Sequence, residues 1–278
     1  MLRFFNFLSD MLPHRRSRDV ALVLGGGGAR GYAHIGAVEV LMEHGFNITS
    51  VAGTSMGALV GGLFAAGKLD ELKEKVITVN RRKILSLLDL SPGLDHIATA
   101  DKLSGLLDAI AGGMNIEQLP IPFCCSATDI VSGREKVFRS GPLSQAIRAS
   151  ISIPGFFSPV RIGNEVLVDG SVHNTLPLNR VERHKGDRLV AVNVSTPGAE
   201  PMKGSVPSNF LKMAMRIAQI SVQNNTQMAE QITRPDICVD IPMDTFGLMD
   251  FEKGREIIAY GRQAMEQALE EWDDKRKS

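Results

Sequence analysis

The sequence predicts an α/β protein whose central, mostly parallel sheet is covered by helices on both faces. Short β-rich apolar runs alternate with longer stretches of helical period, and the chain opens as strand, helix, strand, helix. The most distinctive glycine-rich residues also lie where strand-like runs end, the edge at which such sheets gather reactive groups.

Val20 to Leu24 is a short apolar run of the kind buried on both faces, and Gly31 to Glu43 has helical spacing that stops near Gly45. Ile48 to Ala52 repeats the strand pattern, and Ser55 to Ala66 the helical one, ending at Gly67. A helix charged on one face is predicted over Leu69 to Leu88. A loop with Pro92 and Gly93 over Asp89 to Ala100 could cap a site, and a helix follows from about Asp101 to Ala111. Pro122 to Thr128 and Glu135 to Arg139 read as strands joined through Ser132-Gly133, and Arg161 to Val168 as a hairpin turning at Gly163-Asn164. Leu189 to Val194, a long helix over Ser208 to Ile232, a strand at Ile237 to Ile241 and a helix over Phe251 to Trp272 complete the chain. No repeat or low-complexity linker divides it. We expect an extension over residues 1–18 and one domain over 19–278, with its motif core at about 20–194 and a helical part at about 205–275.

With 278 residues, 44% of them hydrophobic, the chain can bury one large core. Lys plus Arg and Asp plus Glu both number 31, so no net field attracts nucleic acid. The odd set Cys124, Cys125 and Cys238 lacks C-x-x-C spacing, which disfavours a disulfide framework or zinc site and suits a reducing, cytoplasmic compartment. No apolar run is long enough to span a bilayer, and the N-terminus lacks the pattern of a secretory signal. Its apolar residues, among them Phe4, Phe5, Phe7 and Leu8, do precede His14-Arg15-Arg16-Ser17-Arg18. That composition suits peripheral contact at the inner membrane face, or else a terminal extension packed on itself.

Gly53-Thr54-Ser55-Met56-Gly57 lies between a strand-like and a helix-like run, the setting of a nucleophile elbow. Flanking glycines let backbones pass closely, so Ser55 is the candidate nucleophile. Gly25-Gly26-Gly27-Gly28-Ala29-Arg30-Gly31 follows the first strand and offers backbone N–H groups beside a helix start. Gly26, Gly28 and Gly31 satisfy G-x-G-x-x-G, but the acidic residue of a dinucleotide site is missing after the second strand, and no Gly-Lys-Ser/Thr follows as in a Walker loop. An oxyanion cradle is the better reading.

A serine nucleophile needs a base. Of six histidines only His173 and His184 fall late enough for a hydrolase order, and His184 reads as the solvated end of a charged helix. Asp169 is the stronger candidate, placed between the apolar run Val166-Leu167-Val168 and Gly170. An ordinary carboxylate is a weak base, and desolvation would strengthen it. The competing reading is an aspartate that merely caps its turn.

The glycine loop, the elbow, Asp169-Gly170 and the intervening Arg148-Ala149-Ser150-Ile151-Ser152-Ile153-Pro154-Gly155-Phe156-Phe157 stand in an order that resembles the patatin-like phospholipases in their compact bacterial form. The likeness runs from about Val20 to Val194. Ser171 departs from it, since that family commonly has Gly or Ala there; the serine could add a hydroxyl close to the dyad. The resemblance implies a three-layer α/β/α patatin-like fold and a Ser55–Asp169 dyad, with N–H groups around Gly27 and Gly28 holding the oxyanion and Gly170 supporting the aspartate. It also implies lipid ester substrates. No metal-ligand cluster appears in the sequence, so no metal is expected, and no cofactor is. Arg30 would orient the glycine loop or meet a headgroup; the plainer alternative is a surface ion pair.

Leu85, Leu87, Leu88, Leu90, Phe156 and Phe157 are candidates for an acyl channel, though such residues are more often core. Met213 and Ile217 belong to a Met-rich helical stripe, first expected to pack in the core and otherwise to cover a site mouth or join two copies as a homo-oligomer. Two functional readings stay open, a serine lipid acyl hydrolase and a low-turnover signalling or scaffold protein on the same fold. A nucleotide-binding oxidoreductase is disfavoured by the missing acidic residue.

Overall fold

The structure, a computed structural model, describes residues 18–79, 96–198 and 210–277. β1 (Asp19–Leu24) leads through a 3-10 turn over Gly28–Tyr32 into α1 (Ala33–Glu43), and β2 (Asn47–Thr54) leads into α2 (Met56–Ala65) and α3 (Leu69–Thr78). After α4 (His96–Ala111) come β3 (Phe123–Asp129), β4 (Arg134–Phe138) and α5 (Leu143–Ser150). The hairpin β5 (Val160–Ile162) and β6 (Glu165–Asp169) follows, then β7 (Arg188–Thr196), α6 (Phe210–Ile232), β8 (Ile237–Pro242) and α7 (Gly254–Lys277).

These strands form one eight-stranded sheet in the order β5-β6-β3-β2-β1-β7-β8, with β4 also on β3. β8, β7, β1, β2 and β3 run parallel, and β4 and β6 run antiparallel to β3. Side chains alternate across β1: Val20, Leu22 and Leu24 enter the larger core, and Ala21 and Val23 a smaller one. α1, α2 and α7 supply the larger core. The smaller is closed by Leu176 and Leu178, from an irregular segment, and by Ala229 of α6. Both faces of the sheet are thus covered, by layers of unequal thickness.

Every strand expected from the sequence forms. α5 is an addition that the sequence reading did not resolve, although Pro142 directly before it is a start signal. The segment at His184 is built of turns with no helix, because Asp187 Oδ2 accepts the His184 N–H and closes a local loop instead. Part of the Met-rich stripe faces outward: Met213, Ile217 and Ile220 are exposed. α3 ends at Thr78. The rest of the helix expected to Leu88, the expected loop as far as residue 95, with Pro92, the leucines Leu85 to Leu90 and residues 1–17 lie outside the described residues. The last part of that loop, expected to run to Ala100, is helical instead, because α4 starts at His96 and not near Asp101. No helix among the described residues is long and apolar enough to cross a membrane.

Candidate active site

Sheet register brings the two expected reactive residues together. Thr54, the last residue of β2, lies opposite Ser126 on β3, and Asp169, the last of β6, lies opposite the next residue, Ala127. A strand has two edges, and β4 occupies one of them along Cys125–Asp129. β2 and β6 therefore share the other edge end to end, approaching from opposite directions. Ser55 follows Thr54 directly, so its Oγ donates to Asp169 Oδ2 at 2.5 Å across 114 residues of sequence.

Ser55 has φ 54° and ψ −123°, the only positive φ outside glycine among the described residues. Such a backbone state is strained for a side-chain-bearing residue. Close packing around the turn enforces it: a Cβ on Gly53 would stand 2.3 Å from Gly57 O, and one on Gly57 would stand 2.0 Å from Leu24 O. Removing the strain is expected to stabilise the fold. Ser55→Gly should be more stable than Ser55→Ala by about 1–2 kcal/mol in chemical denaturation, and equal stability would show the turn to be relaxed.

α5 and the residues after it brace both halves of the pair. The Ser55 N–H donates to Ser150 Oγ at 2.8 Å, and that hydroxyl donates to Ser126 O at 2.6 Å. The Asp169 N–H donates to Ser152 O at 3.0 Å. Arg148 Nη1 donates to Ser152 Oγ at 2.6 Å and Nη2 to Ser158 O at 3.1 Å, with the guanidinium over the Phe157 ring. Sequence reading found this segment only as part of a family pattern. Its serines act by contacts to distant backbone, which leave no periodic trace.

Asp169 is buried, 3% exposed, and its carboxyl is raised to about 6. Burial is the main cause, opposed by hydrogen bonds from Ser55 and from Ser171, whose N–H donates to Oδ1 at 2.8 Å. Among the described residues no cation pairs with it. The carboxylate is thus a stronger base than a solvated aspartate, as the chemistry requires. Neither His173 nor His184 bonds to Ser55; both are exposed.

The glycine loop is tied down on all sides. Gly25 N–H donates to Val192 O, Gly26 N–H to Thr175 O and Ala29 N–H to Leu248 O. His34 Nε2 donates to Gly25 O at 2.8 Å; its ring is fully buried and its pKa lowered to about 4 by desolvation, so it is neutral. Ser195 Oγ donates to Gly26 O. Arg30 is buried, and its guanidinium donates to the carbonyls of Val194, Met243 and Phe246. It anchors the loop and, among the described residues, makes no surface ion pair. The Gly27 and Gly28 N–H groups have no protein acceptor among the described residues.

Gly28 and Ser55 line a cavity of about 160 Å³ whose walls are Leu59, Leu72, Val76, Leu107, Ile110 and Phe157, with Lys75 the one charged lining residue among the described residues. Phe157 thus lines the cavity, whereas Phe156 does not. Ligand atoms of Glu230, Cys238 and Asp240 converge within 4.8 Å of one another, and none of these residues lines the cavity.

A patatin-like phospholipase family model matches residues 22–181. An uncharacterised NTE family protein of Mycobacterium tuberculosis is 43% identical over 192 residues, covering 69% of this chain and 53% of that one. Lysophospholipase NTE1 of Debaryomyces hansenii is 28% identical over 291 residues, covering 94% of this chain and 18% of the relative. This chain thus spans about half or less of these relatives' lengths. Among solved structures, VipD from Legionella pneumophila superposes with a TM-score of 0.51 at 14% identity, over 92% of this chain and 67% of that chain. ExoU of Pseudomonas aeruginosa, in its complex with SpcU, also gives 0.51, at 17% identity, over 92% and 53%. These two likenesses concern the fold alone.

Proposed function

Because the chain belongs to the patatin-like phospholipase family, we propose that it is a serine lipid acyl hydrolase that cleaves phospholipid or lysophospholipid esters through a Ser55–Asp169 dyad. The observation that carries the reading is the 2.5 Å bond from Ser55 Oγ to a desolvated Asp169, beside unclaimed N–H groups and an apolar cavity.

Ser55 Oγ attacks the ester carbonyl as its proton passes to Asp169 Oδ2. The Gly27 and Gly28 N–H groups meet the oxyanion, held in place by the bonds that fix their neighbours. The tetrahedral intermediate collapses to acyl-Ser55, and the alcohol leaves with the proton returned from Asp169. Water then gives its proton to Asp169 and attacks the acyl carbonyl, releasing fatty acid and regenerating Ser55. The acyl chain lies in the cavity, and Gly31, Gly53, Gly57 and Gly170 shape the turns around it. Lipid would be met at a membrane surface, with residues 1–18 as the contact. The lysophospholipase among the relatives supports an ester of this class.

A fluorophosphonate probe tests the nucleophile: labelling of the wild type and loss of labelling in Ser55→Ala is the expected result. An unlabelled wild type would instead favour the low-turnover signalling or scaffold reading. The base sets the pH dependence. Asp169 must be ionised to accept a proton, so kcat/KM should fall about tenfold per pH unit below a value near 6 and level off above it. A flat profile between pH 4 and 7 would exclude it as the base.

A further inference from the structure

We propose that Thr54 is a positioning residue for the dyad, its hydroxyl fastening the end of the nucleophile's strand to the segment that follows the acid; this rests on the hydrolase reading above. Thr54 is fully buried and directly precedes Ser55. Its Oγ1 donates to Asn174 O at 2.8 Å, a contact between residues 120 apart in sequence. The Asn174 N–H in turn donates to Gly170 O at 2.8 Å, so the turn that starts at Asp169 closes on the residue that Thr54 holds. A second link, independent of the bond between Ser55 and Asp169, thus joins the two halves of the pair.

Both ends of this link are held. Thr54 lies opposite Ser126 in the sheet, and a Cβ on Gly170 would stand 2.9 Å from Thr54 Cγ2 and 2.2 Å from Ser126 O. The acid's turn is therefore wedged against the ends of β2 and β3. At the other end, Asn174 Nδ2 donates to Glu135 Oε1 at 2.9 Å and to Asn179 Oδ1 at 3.0 Å. Glu135, on β4, also accepts from Ser126 Oγ at 2.7 Å and from Nε and Nη2 of Arg180. One carboxylate thus fixes both the strand beside Thr54 and the side chain of the residue that Thr54 grips.

The next carbonyl along the chain, Thr175 O, accepts from the Gly26 N–H at 3.0 Å. The nucleophile's strand and the glycine loop are therefore fastened to successive carbonyls behind the acid, and the Thr54 hydroxyl is the one of these two donors that a substitution can remove. Valine at 54 keeps the methyl that meets Gly170 and loses the donor, leaving a carbonyl short of a partner. Serine keeps the donor and loses the methyl. The two substitutions separate fastening from packing, and neither changes a charge near Asp169.

The test compares wild type, Thr54→Val, Thr54→Ser and Asn174→Ala by two readouts. One is steady-state turnover of a lysophospholipid, and the other is a carbon-13 NMR titration of the Asp169 carboxyl, assigned with Asp169→Asn, which needs no turnover. Loss of one hydrogen bond should lower kcat about three- to tenfold in Thr54→Val and leave KM unchanged. The Asp169 midpoint should rise by about 0.5–1 pH unit, because a loosened Ser55 hydrogen-bonds the carboxylate less well. Thr54→Ser should restore both values. Asn174→Ala removes the anchor of the same carbonyl without touching the strand; it should move both readouts in the direction of Thr54→Val, and it serves in place of that variant if the valine protein does not fold. Unchanged kcat and midpoint in Thr54→Val would overturn the proposal. Equal losses in Thr54→Val and Thr54→Ser would overturn it too, by assigning the effect to packing. An inactive wild type whose midpoint still rises in Thr54→Val and recovers in Thr54→Ser would instead defeat the hydrolase reading and leave the positioning role standing.

Discussion

Asp169→Asn is expected to lower kcat/KM by about 10² to 10⁴ while making the protein more stable at neutral pH. The loss follows from removing the one group that, among the described residues, bonds to Ser55 Oγ, since an amide cannot accept the proton. The gain follows from burial. The carboxyl is raised from 3.8 to about 6 in the fold, so between those values the native state holds a proton that the unfolded chain has released. Stability therefore falls as pH rises through that window, and the cost is complete above it. Two units correspond to about 3 kcal/mol, an upper figure for what the asparagine variant recovers at pH 7.5. At pH 4 the two proteins should be alike. Ester turnover with urea unfolding at both pH values checks the pair of expectations, and undiminished turnover in the variant would remove Asp169 from the chemistry.

Gly57→Ala should give the largest structural effect, a loss of about 3 kcal/mol or more. The added methyl would sit 2.0 Å from Leu24 O, a backbone atom of a central strand with no freedom to yield. Gly105→Ala is the control, because Gly105 lies in α4 with nothing within 4 Å of the new atom. That substitution should stabilise by about 0.5–1 kcal/mol through helix propensity alone. Thermal melts of both variants distinguish the cases; a Gly57→Ala protein as stable as wild type would mean the turn can open without cost.

Much of this arrangement was legible from residues alone. Ser55 and Asp169 each stand at the end of an apolar run, Ser55 at the carboxyl edge of a parallel strand, and the glycines around Ser55 announce the tight turn. What joins the two was not legible, because strand pairing is a long-range choice that no local period records. Nothing near Asp169 in sequence shows that Ala127 lies opposite it. Ser150 and Ser152 escaped for a related reason: one acts with its side chain on the Ser55 amide, the other with its carbonyl on the Asp169 amide. Arg30 could be read as an exposed ion-pair partner until the loop at Met243 and Phe246 was seen to receive it.

The meeting of β2 and β6 along one edge also says where the molecule tolerates editing. The Gly163-Asn164 turn lies at the far end of β6 from the carboxylate, so residues inserted there lengthen a surface loop and leave Asp169 in place. Deleting one residue inside β6 is a different matter. Every later side chain of the strand would swap faces, and the acid would point through the sheet, away from its partner. Tags or fused modules thus have a safe harbour at one tip of this hairpin and none at the other.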